Sequence, residues 1–192
     1  MSTLTTVIKT LAVTSVIALV GGGLFIYSGS YPVGADVPHN QLTLQLLETL
    51  RERSITRAAQ QVSIPADLQT AERLIAGGAD YQAMCAQCHL RPGVSSTDFS
   101  MGLYPAPPPL TGNDAKHDHA AHGNEQQQAI QRQFWIIKHG IKASGMPAWG
   151  YTHSDDRIWN MVAFLQHLPN MTEQQYQVIT SIKQTDETQQ EP

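Results

Sequence analysis

The chain has 192 residues, of which 41% are hydrophobic and only 15% charged, enough for one domain of ordinary size with appendages and too apolar for a wholly disordered polymer. Its formal net charge of −4, without a basic run anywhere, argues against a nucleic-acid partner, which needs clustered Lys and Arg. There are 2 cysteines and no internal repeat.

In chain order, Leu11 to Tyr27 carry no charge and are mostly apolar, and the run reaches back to Val7 if Lys9 snorkels towards headgroups. At 1.5 Å per residue such a run spans roughly the hydrocarbon core of a bilayer. Cleavage after Ala35, in Val33-Gly34-Ala35, would make it a signal peptide. The apolar run is longer than the usual core of such a peptide, so an uncleaved anchor is the expectation. Lys9 and the amino terminus lie on its N-terminal side, which puts the N-terminus in the cytoplasm and everything after Tyr31 outside.

Gly29 to Asn40 reads as a linker. Leu42, Leu46, Leu47, Leu50, Ile55, Ala58, Ala59 and Val62 then recur at helical spacing, with Arg51, Glu52, Arg53 and Arg57 between them, and Pro65 follows. This amphipathic helix is expected to be a spacer packing on the next domain; lying on a membrane surface is the alternative. A further helix, capped by Asp67, passes Leu68, Ala71, Leu74 and Ile75 to reach Gly77, Tyr81 and Cys85. Gly77 mid-helix costs about 1 kcal/mol relative to Ala, which makes sense if another helix crosses closely there.

That helix leads into Cys85-Ala86-Gln87-Cys88-His89. Two cysteines three positions apart, with a histidine after the second, form the attachment signature of a c-type haem. Each thiol adds across a porphyrin vinyl group, so both sulfurs must sit on one side of a helical turn, and the histidine then lies under the ring to ligate iron. A dithiol redox site belongs to a βαβ setting not seen here, and a zinc site would need histidines to complete it.

Arg91-Pro92-Gly93 turns the chain. Residues 102–110 then hold four prolines in the five positions 105–109, which excludes helix and central strand and leaves a stiff, extended segment suited to lining a flat cofactor. A Pro-rich ligand for an SH3-like domain is the formal alternative. Thr111 to Gly123 is polar and holds His117, His119 and His122; these could bind Cu, Ni or Zn, but a solvated loop is the preferred reading.

Asn124 with Gln127 reads as a capping box for a helix carrying Ile130, Phe134, Trp135 and Ile137 and ending at Gly140. The glycine-rich loop from Gly140 to Gly150 centres on Met146. An apolar side chain on such a loop needs a reason, and a thioether aimed at haem iron supplies one, with Pro147 and the glycines fixing the loop and Trp149 covering it. His139, His153 and His167 compete for the role. Ser154 or Thr152 caps the next helix, with Asp155 and Asp156 in its first turn. Ile158, Met161, Val162, Leu165 and Leu168 mark its buried face and Pro169 stops it. Thr172 with Gln175, and Met171 with Tyr176, announce a last helix ending near Lys183, followed by a polar tail.

Taken together, the chain resembles the class I c-type cytochromes of the single-haem, membrane-anchored kind over about residues 67–169. The motifs are Gly77-x-x-x-Tyr81-x-x-x-Cys85-x-x-Cys88-His89, Pro108-Pro109-Leu110, Gly145-Met146-Pro147-Ala148-Trp149, and a C-terminal helix in which Met161 and Phe164 would cross the first helix at Gly77 and Tyr81. The resemblance implies an all-α fold of three to five helices wrapped around one covalent haem c. It also implies a carbonyl near Pro108 accepting the His89 Nδ1 proton, and Leu110 packed on the ring. The enlarged segment between the two ligands departs from the family.

The expected organisation is a cytoplasmic N-terminus and transmembrane anchor over 1–31, linker and amphipathic helix over 32–66, haem domain over 67–169, and helix with tail over 170–192. Cys85, Cys88, His89, Met146, Pro108 and Leu110 would hold the haem, with His89 and Met146 on the iron. Both axial positions being filled, the protein is expected to be an electron carrier and not an enzyme, working from the periplasmic face of a bacterial inner membrane between redox partners. A haem subunit of a larger respiratory or dehydrogenase complex, and a ligand sensor with a displaceable sixth ligand, are the alternatives.

Overall fold

The computed structural model describes residues 3–112 and 124–187, so the expectations for His117, His119 and His122 lie outside the described residues. All regular structure among the described residues is helical, as expected of an all-α fold. The chain divides into two units, 1–37 and 38–192.

The first unit is essentially α1, Thr3–Tyr27, whose residues are exposed throughout. It is long and apolar enough to cross a membrane. Its threonines do not spoil that. Thr10 and Thr14 donate their hydroxyls to the carbonyls of Thr6 and Thr10, each at 3.0 Å, so the polar groups are satisfied inside the helix.

The second unit is built on two crossing helices, α3 (Ala71–Asp80) and α7 (Asp155–Leu165). Between them come α4 (Ala86–His89), α5 (Asp98–Gly102) and α6 (Asn124–His139); α2 (Gln41–Ala59) precedes them and α8 (Glu173–Glu187) follows. A Cβ on Gly77 would lie 1.9 Å from the Asn160 carbonyl oxygen, so only glycine permits this backbone-to-backbone approach. The cost of a mid-helix glycine thus has the cause expected of it. Tyr81, Phe164 and Tyr176 meet beside the crossing, with Tyr81–Phe164 ring centroids 5.3 Å apart. On the other side Phe134 of α6 stacks on Trp159 at 4.1 Å. Arg157 closes the crossing by donating from Nε and Nη2 to the buried Asp80 carboxylate, both at 2.8 Å.

Local chemistry fixes the ends. Ser154 caps α7 by accepting from Arg157 N, and Thr172 and Gln175 form the expected reciprocal cap. Asn40 caps α2, which packs on α6 through Ile55 and Ala59. Arg132 joins the two by reaching Glu52 and Thr56, and Gln131 donates to the Val62 carbonyl. Tyr176 of α8 is fully inside the core.

Four details differ from the reading of the sequence. The helix expected from Asp67 begins at Ala71 after Thr70, because the Asp67 carboxylate is drawn to Arg73 at 3.0 Å. It does not run on as α-helix to Cys85; Tyr81–Cys85 form a π-turn, with the Ala86 amide donating to the Tyr81 carbonyl. The short α5 was unforeseen, being held by a Thr97–Ser100 reciprocal cap and not by apolar periodicity. Finally, α8 continues to Glu187, since nothing after Lys183 stops a helix.

The crossing makes a sharp prediction. Helix propensity alone would have either Gly77→Ala or Gly78→Ala stabilise the fold by up to about 1 kcal/mol. Gly77→Ala should instead lose about 2–3 kcal/mol, because backbone cannot yield. Gly78→Ala should stay within about 1 kcal/mol of wild type, because its new Cβ meets only the Ile179 and Phe164 side chains, at 2.9 and 3.1 Å. Denaturant unfolding of both variants checks this; equal losses would remove Gly77 from its role.

Candidate functional site

Cys85 ends the π-turn while Cys88 and His89 lie in α4, so the three donors follow one another within about a turn of helix. Both cysteines are free thiols and partly buried. Burial, with smaller contributions from Asp80 and Cys88, pushes the Cys85 thiol up to about 12. A dithiol redox site needs the reverse, a thiol made acidic enough to attack, so the structure weighs against that reading.

His89 is held at both of its ends. Its Nδ1 lies 2.8 Å from the Pro108 carbonyl oxygen. A carbonyl only accepts, so Nδ1 carries the proton and the Nε2 lone pair is left for a ligand. Burial lowers the ring's affinity for a second proton, against the opposing pull of the Pro108 bond, so the imidazole stays neutral at pH 7. The His89 carbonyl accepts from Leu110 N at 3.1 Å and from the Tyr81 hydroxyl at 3.3 Å. That hydroxyl also donates to the Leu90 carbonyl at 2.7 Å, where Leu90 takes the left-handed φ of +67° that turns the chain out of α4.

The segment that supplies the Pro108 carbonyl is anchored in turn. Tyr104, which precedes a cis proline, accepts from the His39 amide at 3.0 Å. Leu103 lies against Gly145, where a Cβ would come within 2.6 Å of its Cδ2. The proline-rich stretch therefore touches the methionine loop, a contact between segments far apart in sequence.

The loop itself is a closed turn. Gly140 takes φ +65°, and a Cβ there would strike the backbone of Pro147 and Ala148 at 2.7 Å. Ile141 N donates to the Met146 carbonyl at 3.1 Å, Met146 N donates to Ser144 Oγ at 3.1 Å, and Ser144 donates to the Ile141 carbonyl at 2.8 Å. Met146 is half-buried, and it packs against the same core cluster as Cys85, Leu110 and Trp149.

The competing histidines are placed differently. His153 uses Nδ1 with Thr152 Oγ1 at 2.8 Å and Nε2 with the Met84 sulfur at 3.2 Å. His139 is exposed and leans on Trp135 at 4.8 Å, and His167 is exposed. Cys85, Leu110 and Met146 thus pack on one core cluster, and His89 is bonded to Pro108 and Leu110. The sequence reading missed the Tyr81 hydroxyl clamp, the Leu103–Gly145 contact and the Met84–His153 pair; no local pattern announces any of them. As a donor set, two cysteine thiols, an imidazole aimed by its second nitrogen and a thioether fit a c-type haem.

Residues 72–165 match the family described as cytochrome C oxidase, cbb3-type, subunit III. No curated protein and no solved structure matches the chain. Residues 72–165 are thus a c-type cytochrome domain of class I, an all-helical domain for haem c and haem-based electron transfer, and one apolar helix precedes it in the chain.

The clamp on the histidine's backbone is testable without touching a ligand. Tyr81→Phe leaves the buried Leu90 carbonyl unpaired and should cost about 1–3 kcal/mol in denaturant unfolding. Tyr176→Phe removes a less buried bond to Gln82 and should cost about half as much or less. Equal losses would show that the Tyr81 hydroxyl has no special place in the site.

Proposed function

We propose that this cytochrome carries one haem c, joined by thioether bonds to Cys85 and Cys88 and ligated by His89 and Met146, and that α1 tethers it in a bacterial cytoplasmic membrane with the haem domain on the periplasmic side. When bound, the haem supplies an iron that alternates between ferric and ferrous and so carries one electron. The observation that carries the reading is the His89 Nδ1 bond to the Pro108 carbonyl, which aims Nε2 and fixes its tautomer.

The chain's own residues do the rest. His89 presents a neutral lone pair, and burial keeps a second proton off the ring. The 140–148 turn holds Met146 by backbone bonds on both sides, so its thioether is offered from a fixed base. The engagement of both His153 nitrogens, and the exposure of His139 and His167, leave Met146 as the better sixth ligand. A His/Met pair would raise the reduction potential, and with His89 and Met146 both on the iron no place would remain for oxygen or substrate. Supporting the tether are the length of α1 and the position of Lys9 on its N-terminal side. A membrane-held carrier meets membrane-bound donors and acceptors at raised effective concentration.

The matched family is described as an oxidase subunit, which favours one form of this reading over a free-standing carrier, namely a haem subunit of a larger respiratory complex. The chemistry of the site is the same in either case. Solubilisation in mild detergent separates them by the mass with which the haem migrates.

The absorption spectrum of oxidised and reduced protein, made with a haem-attachment system, tests the ligands. Oxidised wild type should show the weak long-wavelength sulfur–iron band, and Met146→Ala should lose it, fall in reduction potential and bind carbon monoxide readily when reduced. Cys85→Ser with Cys88→Ser should release the haem on denaturation. A wild type that lacks the band, or that binds carbon monoxide at neutral pH, would overturn the His/Met carrier in favour of a ligand-binding haem protein.

A further inference from the structure

Helix α2 has two faces with different fates. Ile55 and Ala59, 3% and 2% exposed, point into the unit towards α6. At 3.6 residues per turn, the opposite side carries Leu42, Leu46 and Leu50 in one line, continued by Arg53 and Arg57. The three leucines are 67%, 62% and 68% exposed, and both arginines are exposed. The acidic residues of this helix, Glu48 and Glu52, lie towards the side that faces α6, where Arg132 takes Glu52.

An exposed row of leucines flanked by arginines needs a partner that is apolar beneath and anionic at its rim. We propose that this outer stripe of α2 lies on the anionic lipid surface of the membrane, with the leucines between headgroups and Arg53 and Arg57 on phosphates. Charge decides among the occupants. The stripe has two cations at one end and no carboxylate, so a second copy of the same stripe offers them like charge when parallel and only leucines when antiparallel, never an anion. Chain connection agrees, since residues 28–40 alone tether α2 to the apolar helix α1. Leucines on one side and Ile55 with Ala59 on the other explain why the sequence pattern of α2 looked like a simple packing spacer: both faces are apolar, for different neighbours. Seating this stripe would fix which way the haem domain stands on the bilayer, and so which of its faces is offered to redox partners.

The inference rests on the reading of α1 as an anchor, so the experiment separates the two. In the holoprotein Cys85 and Cys88 are consumed by haem, and one added cysteine takes a spin label. Leu46→Cys, Val16→Cys in α1 and Gln174→Cys on the exposed side of α8 are labelled in full-length holoprotein. Each is reconstituted in vesicles of phosphatidylethanolamine and phosphatidylglycerol. Collision with oxygen, which concentrates in lipid, is compared with collision with a water-soluble nickel chelate. The oxygen-to-nickel ratio at Leu46 should exceed that at Gln174 several-fold, and Arg53→Gln with Arg57→Gln, or omission of phosphatidylglycerol, should lower it. A ratio at Leu46 equal to that at Gln174 means solvent and overturns the proposal. Shielding from both reagents with dipolar broadening means a second copy, and without broadening another protein; either overturns it too. Val16 reports the anchor separately: an aqueous ratio there would sink the tether whatever Leu46 shows.

Discussion

The approach of α3 to α7 at Gly77 is the constraint on which the rest depends. Two helical backbones that come within contact leave no room to slide, so the register of one against the other is fixed by Asn160 lying over Gly77. Everything placed by that register follows. Tyr81 falls on Phe164, Asp80 falls within reach of Arg157, and the chain emerges from the crossing at a set height to make the π-turn and α4. The same helix α7, read backwards, positions the methionine loop that runs into it through Trp149 and His153, whose rings meet at 5.1 Å. One crossing thus sets both sides of the site.

The two sides are nevertheless held in different ways. Around His89 three groups from two elements converge: the Tyr81 hydroxyl from the π-turn, and the Pro108 carbonyl and Leu110 N from the extended segment. The Met146 loop is closed mainly upon itself, by Ile141, Ser144 and the left-handed Gly140. Its long-range tie is steric, through Gly145 against Leu103. An imidazole has one useful lone pair in one plane and must be aimed, whereas a thioether on a flexible stem needs only to be delivered to the right place. The His89 side is therefore tied by hydrogen bonds to other segments, and the Met146 side by hydrogen bonds within its own turn and by packing.

Legibility in the sequence follows the range of each interaction. The caps at Ser154 and Thr172 and the stop at Gly140 were readable because each is settled within a few residues of local backbone and side-chain chemistry. The role of Gly77 was readable as an anomaly, since its cost demanded a neighbour, and the resemblance to a family named that neighbour. The Asp80–Arg157 pair spans 77 positions and the Leu103–Gly145 contact more than 40; neither leaves a periodic trace. The π-turn was hidden for another reason. Its residues have the same pattern as an ordinary helix, and the extra residue per turn is imposed by what they pack against. Helix α2 was read as amphipathic with one apolar side, because a line of leucines and a line of small core residues on opposite faces merge in a one-dimensional list.

The electrostatics of the site bear on what kind of chemistry it can run. Cys85 is held as a thiol by burial and by the Asp80 carboxylate close by, and His89 is held as a neutral ring. Among the described residues Asp80 is the one buried carboxylate, and its charge is matched by the Arg157 guanidinium. A site for acid–base or thiolate chemistry does the opposite, gathering unbalanced charge to move a pKa towards neutrality. Here Cys85 and His89 are held uncharged, and the buried Asp80 charge is neutralised by Arg157. A group whose iron gains and loses one charge is best served by surroundings that neither titrate nor rearrange with it, because each proton or dipole that must move would add to the barrier. The same burial that holds Cys85 as a thiol suits these surroundings to keeping an electron.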